Sequence, residues 1–291
     1  MSALIGEVAV VTDSTAYLPS ELVGKYGLGL VPLHVVIDGR SYDETSQADA
    51  AMVADALRRH RQVSTSRPGP QAFLDAYRAA AARGHGAAVS VHLSGEMSGT
   101  YESACAAALA APIRVEVLDS RLLGLGLGFA VLSAAAVAAD GGSVEQVRQA
   151  AVDRAAATSA YFYVNTLEYL WRGGRIGAAR ALLGSALAVK PLLRVENGQI
   201  ALWEKVRTFS RAVARLEDKA VADALAAGGD VDIGVHHLAA ADRATALADR
   251  LRSRVPALRD LYVQEVGAVI GAHVGPGMLA VVIAPEVPPP S

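Results

Sequence analysis

The residues best suited to chemistry lie close together between Ser90 and Ala104, which read Ser-Val-His-Leu-Ser-Gly-Glu-Met-Ser-Gly-Thr-Tyr-Glu-Ser-Ala. Ser94, Ser98 and Thr100 supply hydroxyls, while Gly95 and Gly99 let the backbone turn tightly or come close to a ligand. The apolar run Ala87 to Leu93 before them reads as a buried strand, and Ala104 to Ala111 after them reads as a helix. Hydroxyls beside a helix start suit an anion. The residue three after Ser98 is Tyr101, so no capping box closes the first turn, and its N–H groups are left for an external oxyanion. An ordinary cap by Ser98 uses the same residues, and both readings stand on this stretch alone.

Other chemistries fit less well. His34, His60, His85, His92, His236, His237 and His273 show no paired ligand spacing, and adjacent His236 and His237 would face opposite sides of a strand, so no metal is expected. His273 falls in Gly271-Ala272-His273-Val274-Gly275-Pro276-Gly277, a glycine-rich loop where a ring nitrogen meets a ligand or serves structure. There is no Walker sequence. Gly124, Gly126 and Gly128 fail the dinucleotide spacing because Phe129 and Val131 stand where a third glycine would fall; close packing or close approach of an apolar ligand explains them instead. Neither Ser94 nor Ser98 has the flanking glycines of a nucleophile elbow, so no autonomous catalytic motif is found. The alternative is an acyl hydrolase or transferase with Ser98 as nucleophile and His273 as base. Arg172 and Arg175 flank Gly173-Gly174, either solvated or touching a partner or anion.

The elements that must position these groups alternate through the first half of the chain. Glu7 to Thr12 is a strand leading into Asp13-Ser14-Thr15 and a helix opened by Pro19-Ser20-Glu21, and Leu28 to Ile37 reads as one further strand. Helices over Asp49 to Arg61 and Gln71 to Arg83 flank Thr65-Ser66, where only Val63 suggests extension. The strand Ile113 to Leu118 ends in Asp119-Ser120, and a buried glycine-rich helix occupies Leu122 to Ala139. This alternation predicts a parallel sheet covered on both faces, with ligands beyond the carboxyl ends of its strands. A boundary near Ser159 gives domains over 1–159 and 160–291. In the second, a helix from Ala178 precedes Glu196-Asn197-Gly198-Gln199, which signals a hairpin and hence antiparallel pairing. A Pro-rich tail starts at Pro285.

With 291 residues, 52% of them hydrophobic, the chain can bury two cores. A net charge of −2, without basic blocks interleaved with aromatics, argues against nucleic acid. Met1 to Gly6 lack a positive n-region, no membrane span is read, and the lone Cys105 cannot form an internal disulfide; a cytoplasmic location is expected.

Several motifs together resemble the DegV family: Val11-Thr12-Asp13-Ser14-Thr15, Thr65-Ser66-Arg67-Pro68, Leu93-Ser94 through Ser98-Gly99-Thr100-Tyr101, Tyr169 through Gly173-Gly174-Arg175-Ile176, Lys190-Pro191, Val206-Arg207-Thr208 and His273-Val274-Gly275-Pro276-Gly277. The resemblance implies a two-domain α/β fold, an N-terminal Rossmann-like parallel sheet plus a C-terminal α/β domain, with one long-chain fatty acid between the domains and no cofactor. On it, Thr65, Ser98 and His273 hold the carboxylate, with Ser66, Ser94, Gly99 and Thr100 nearby. It also implies a carrier subunit serving an ATP-binding fatty acid kinase that forms acyl phosphate for phospholipid metabolism. Arg175 and Arg172 are then the partner contacts, and any membrane contact is transient and at the surface. Tyr17, Arg67 and Glu96 depart from the family pattern.

Overall fold

The computed structural model describes residues 7–182 and 189–287. Its elements divide between two compact units, one holding the described residues up to His34 together with Ser66–Ala157 and Val287, the other Val35–Thr65 and Thr158–Glu286.

The chain opens with the wholly buried strand β1 (Val8–Asp13), a 3-10 turn over Ser14–Ala16 and helix α1 (Ser20–Tyr26). The single strand expected over Leu28 to Ile37 is two, β2 (Gly29–Val31) and β3 (His34–Ile37). Pro32 lies at the break, where it has no N–H to give a ladder. Strand β4 (Arg40–Asp43), helix α2 (Ala50–Arg58) and strand β5 (Val63–Ser66) complete the excursion, so Thr65 sits on a strand. The chain then continues through α3 (Pro70–Ala82), β6 (Ala87–His92), α4 (Thr100–Ala108), β7 (Arg114–Asp119), α5 (Leu125–Ala139) and α6 (Val144–Ala157).

In the first unit the strands run in the order β2-β1-β6-β7, all parallel. The alternation of strands and helices yields the sheet expected of it. Phe73 and Tyr77 from α3, fully buried, pack with Val11, Val31, Ala104 and Ala107. Each such side chain contributes roughly 1.5–3 kcal/mol by leaving water. Helix α5 is buried continuously from Leu125 to Val131, which is why its sequence shows no polar face. Gly128 permits this: a Cβ there would lie 2.8 Å from the Ala16 carbonyl oxygen. At this glycine the close approach is by the protein's own backbone.

The second unit continues with β8 (Ser159–Tyr163), α7 (Glu168–Arg172), a 3-10 helix over Gly177–Leu182 where the helix expected from Ala178 begins, its continuation over 183–188 lying outside the described residues, then β9 (Lys190–Glu196) and β10 (Gln199–Val206). Then follow α8 (Phe209–Ala227), β11 (Val231–His237), α9 (Ala241–Arg254), β12 (Leu258–Glu265), α10 (Ala268–Val274) and β13 (Leu279–Pro285). Asn197 and Gly198, with φ of 51° and 81°, make the left-handed turn that their sequence announces between antiparallel β9 and β10. The six-stranded sheet runs β10-β9-β8-β13-β11-β12, antiparallel except for β11 with β12, and a separate three-stranded sheet runs β4-β3-β5.

A single cut near Ser159 does not describe this division, because residues 35–65 belong with the second unit. The reason is packing: Val35, Ile37, Val53, Ala56 and Leu57 share a core with Ala268 and Ala272 of α10. The tail expected after Pro285 lies, from residue 288 onward, outside the described residues.

Candidate functional site

In the first unit, the connection from β1 leads to one side of the sheet and that from β6 to the other, so the carboxyl ends of these neighbours mark the switch point where open α/β sheets receive ligands. Asp13 ends β1 with its carboxylate fully buried. It accepts from the Leu93 N–H at 3.0 Å, from the Thr15 N–H at 3.1 Å and from the Thr15 hydroxyl. His92 Nδ1 lies 3.1 Å from its second oxygen, and His92 Nε2 lies 2.7 Å from Ser90 Oγ. Burial pushes the Tyr77 hydroxyl up to about 12, so it stays protonated and donates to Ser90 Oγ at 3.0 Å. Facing a carboxylate, which only accepts, His92 Nδ1 is the donor to Asp13.

This buried chain fixes Leu93, the root of the hydroxyl loop. Ser94, also buried, donates its N–H to the Leu122 carbonyl at 2.9 Å, and its own carbonyl accepts from Met97 and Ser98 at 3.0 and 3.1 Å. Helix α4 then starts at Thr100 with Gly99 as N-cap and no side chain capping it, so Ser98 is not the cap. Instead Ser98 Oγ lies 2.8 Å from Thr100 Oγ1. Two hydroxyls share two protons, one of which makes this bond, and the other can be donated to an anion. The N–H groups of Thr100, Tyr101 and Glu102 precede the first internal bond of the helix, Ser103 to the Gly99 carbonyl at 3.1 Å. Glu96 is exposed.

In the second unit, Thr65 Oγ1 and His273 Nε2 are hydrogen-bonded at 2.9 Å. His273 stands in the last turn of α10 and not in a glycine-rich loop; the left-handed glycines, Gly275 and Gly277 with φ of 72° and 86°, come only after the helix. Gly173 makes room for its ring, since a Cβ there would lie 2.1 Å from Nδ1. That nitrogen is buried without a hydrogen-bond partner. Burial, seconded by the Arg175 charge, lowers the His273 pKa to about 4, so the imidazole is neutral at pH 7. Arg175 donates to the Gly173 carbonyl at 2.6 Å, and Arg172 pairs with Glu168 at 2.6 Å. Thr65, Tyr169, Arg172, Arg175, His273 and Arg61 line a cavity of about 350 Å³. Ser66 is exposed at the end of β5.

Among the described residues no group of His, Cys, Asp and Glu could hold a metal ion, and no helix is long and apolar enough to cross a membrane.

A switch-point loop of hydroxyls on a parallel sheet in one unit, with a mixed sheet in the other, defines a two-unit α/β protein. The family described as "Uncharacterised protein, DegV family" matches residues 7–286, and the chain belongs to the DegV family. A DegV domain-containing protein of Streptomyces coelicolor is 56% identical over 277 residues, covering 95% of this chain and 98% of that one. A DegV family protein from Thermus thermophilus, described by its fatty acid binding, superposes with a TM-score of 0.90 at 33% identity, over 96% of this chain and 99% of that one. DegV from Bacillus subtilis, described as a fatty acid binding protein, gives a TM-score of 0.88 at 32% identity, over 97% and 100%.

Sequence reasoning singled out Ser94, Ser98, Thr100, Thr65 and His273 but missed the Tyr77-Ser90-His92-Asp13 chain. Its signal was present, because Ser90 and His92 are two apart on a strand and so share a face. Nothing in the sequence around Gly173 shows that it is the wall against which His273 packs.

Proposed function

We propose that this protein binds a long-chain fatty acid and presents it to a separate ATP-dependent fatty acid kinase, serving phospholipid metabolism in the cytoplasm. The observation that carries the reading is the hydroxyl pair Ser98–Thr100 at the open start of α4. Hydroxyls and helix-start N–H groups hold a carboxylate through charge-assisted bonds without a permanent counter-charge. The fold shared with two proteins described as fatty acid binding supports the ligand class. Burying the acyl chain would contribute roughly 0.8 kcal/mol per CH₂.

The carboxylate groups of this proposal are Ser98, supported by Ser94, Gly99 and Thr100, and the Thr65–His273 pair with Ser66 beside it. On this reading the protein acts as a carrier and not as an enzyme in its own right; the pairing of the Ser98 hydroxyl with another hydroxyl, and of His273 Nε2 with Thr65, supports it. Arg175 and Arg172 would meet the kinase, and contact with membranes would be transient.

The test is denaturing extraction of the folded protein followed by mass spectrometry. A fatty acid in near one-to-one ratio is expected. A nucleotide or sugar phosphate in that ratio, with no lipid, would overturn the reading, as would covalent labelling of Ser98 by a fluorophosphonate. Arg175→Ala should keep the lipid and lose kinase-dependent turnover; loss of lipid would return Arg175 to the pocket.

A further inference from the structure

The hydroxyl loop has a charged neighbour that the proposed function does not use. Arg67 follows β5 and reaches the start of α4, where its Nη1 donates to the Gly99 carbonyl at 3.3 Å. The Arg67 side chain packs closely against Gly99: a Cβ there would come within 1.8 Å of Nη1, 2.8 Å of Cζ and 2.9 Å of Cδ. Gly99 is thus the residue between Ser98 and Thr100 and also the floor under Arg67.

Carboxylates crowd the other side of the same loop. A Cβ on Gly95 would lie 3.1 Å from Asp119 Oδ2 and 3.7 Å from Glu102 Oε1, and Glu96 stands between Gly95 and Ser98. Asp119 and Glu102 disfavour a second negative charge near Gly95. Asp119 is already engaged, accepting from the Arg121 N–H at 2.8 Å. Arg67 makes no ion pair with any of them, nor with any other acid among the described residues. Its bond to Gly99 uses one of the five guanidinium N–H donors and leaves others for a planar oxyanion.

We infer that Arg67 supplies the charged contact for the ligand's carboxylate at the Ser98 loop and so discriminates a free acid from its ester. This rests on the fatty acid reading and adds to it a permanent positive charge beside the hydroxyls. The charge is exposed, so its effect is screened by salt.

The probes are stearic acid and methyl stearate, titrated into the lipid-stripped protein at low and high ionic strength. Arg67→Gln should weaken the acid about fivefold at low salt, the upper range of an exposed ion pair, while leaving the ester unchanged. It should also flatten the salt dependence of acid binding. Arg67→Lys should keep part of the acid preference, since the charge remains but the fork does not. Equal affinity of wild type and Arg67→Gln for the acid, or equal weakening of acid and ester, would overturn the role of Arg67 while leaving fatty acid binding intact. Failure of the wild-type chain to bind stearic acid would remove both.

Discussion

Ser98 and Thr100 have one hydroxyl proton to spare between them, and the size of its effect on a bound carboxylate can be stated. Ser98→Ala removes one charge-assisted bond, roughly 1.5–3 kcal/mol, and should weaken a fatty acid about 10- to 150-fold. Because Ser98 caps no helix here, the mutation should leave the melting temperature of the ligand-free protein nearly unchanged, a pairing of outcomes that titration and thermal unfolding check together. His273 bears on stability through protons. Its pKa is about 4 in the fold against 6.5 for a free side chain, and burial lowers His236 to about 4 as well. Between those values the unfolded chain binds more protons, so this stability is complete above about pH 6.5 and is lost as pH falls toward 4. Urea unfolding of stripped protein across that range should show the decline, and His273→Gln should flatten part of it; an unchanged slope would assign the pH dependence elsewhere. Residue types made these sites legible, since hydroxyls, glycines and histidines announce themselves. Partners did not: nothing local ties Asp13 to Leu93, eighty positions on, or Gly173 to a ring a hundred positions away.

Secondary elements were legible where one strong local rule operated. Asn197-Gly198 requires a left-handed turn and obtains one, and the apolar alternation of strand and helix in the first half gives the parallel sheet. Local rules conflicted at Leu28 to Ile37, where hydrophobicity favours one strand and Pro32 divides it, and at Gly271 to Gly277, where glycines suggest a loop but Ala268–Val274 is helical. Helix α5 shows how an element can depend on one missing atom. Gly128→Ala would drive a methyl against the Ala16 carbonyl and Leu18, a clash with backbone on one side. A loss of about 1–3 kcal/mol in unfolding free energy is expected, since overpacking a tight contact costs that much. Gly173→Ala should act in the second unit by displacing the His273 ring; a crystal structure of the variant retaining the Thr65–His273 bond would refute this.

At the level of the whole molecule, a ligand that binds only the folded chain must raise its stability by mass action. Stearic acid added to stripped protein should raise the melting temperature progressively, about 2.7 kcal/mol at a hundredfold excess over Kd, and Ser98→Ala should shift the response to higher concentration. No rise in the wild type would contradict fatty acid binding. The division of the chain was the least legible feature at this scale, because assigning residues 35–65 needs the contact of α2 with α10, which are more than two hundred positions apart. That excursion also governs how the family's genes can recombine. The chain passes from one unit to the other after His34, returns after Thr65 and passes again after Ala157. Neither unit is therefore a cassette. A single splice at residue 158 between two relatives would join α2 of one parent to α10 of the other, and a mismatched seam would strand Val53, Ala56 and Leu57 without their apolar cover; a workable exchange needs three junctions, chosen so that 35–65 travels with everything from 158 onward.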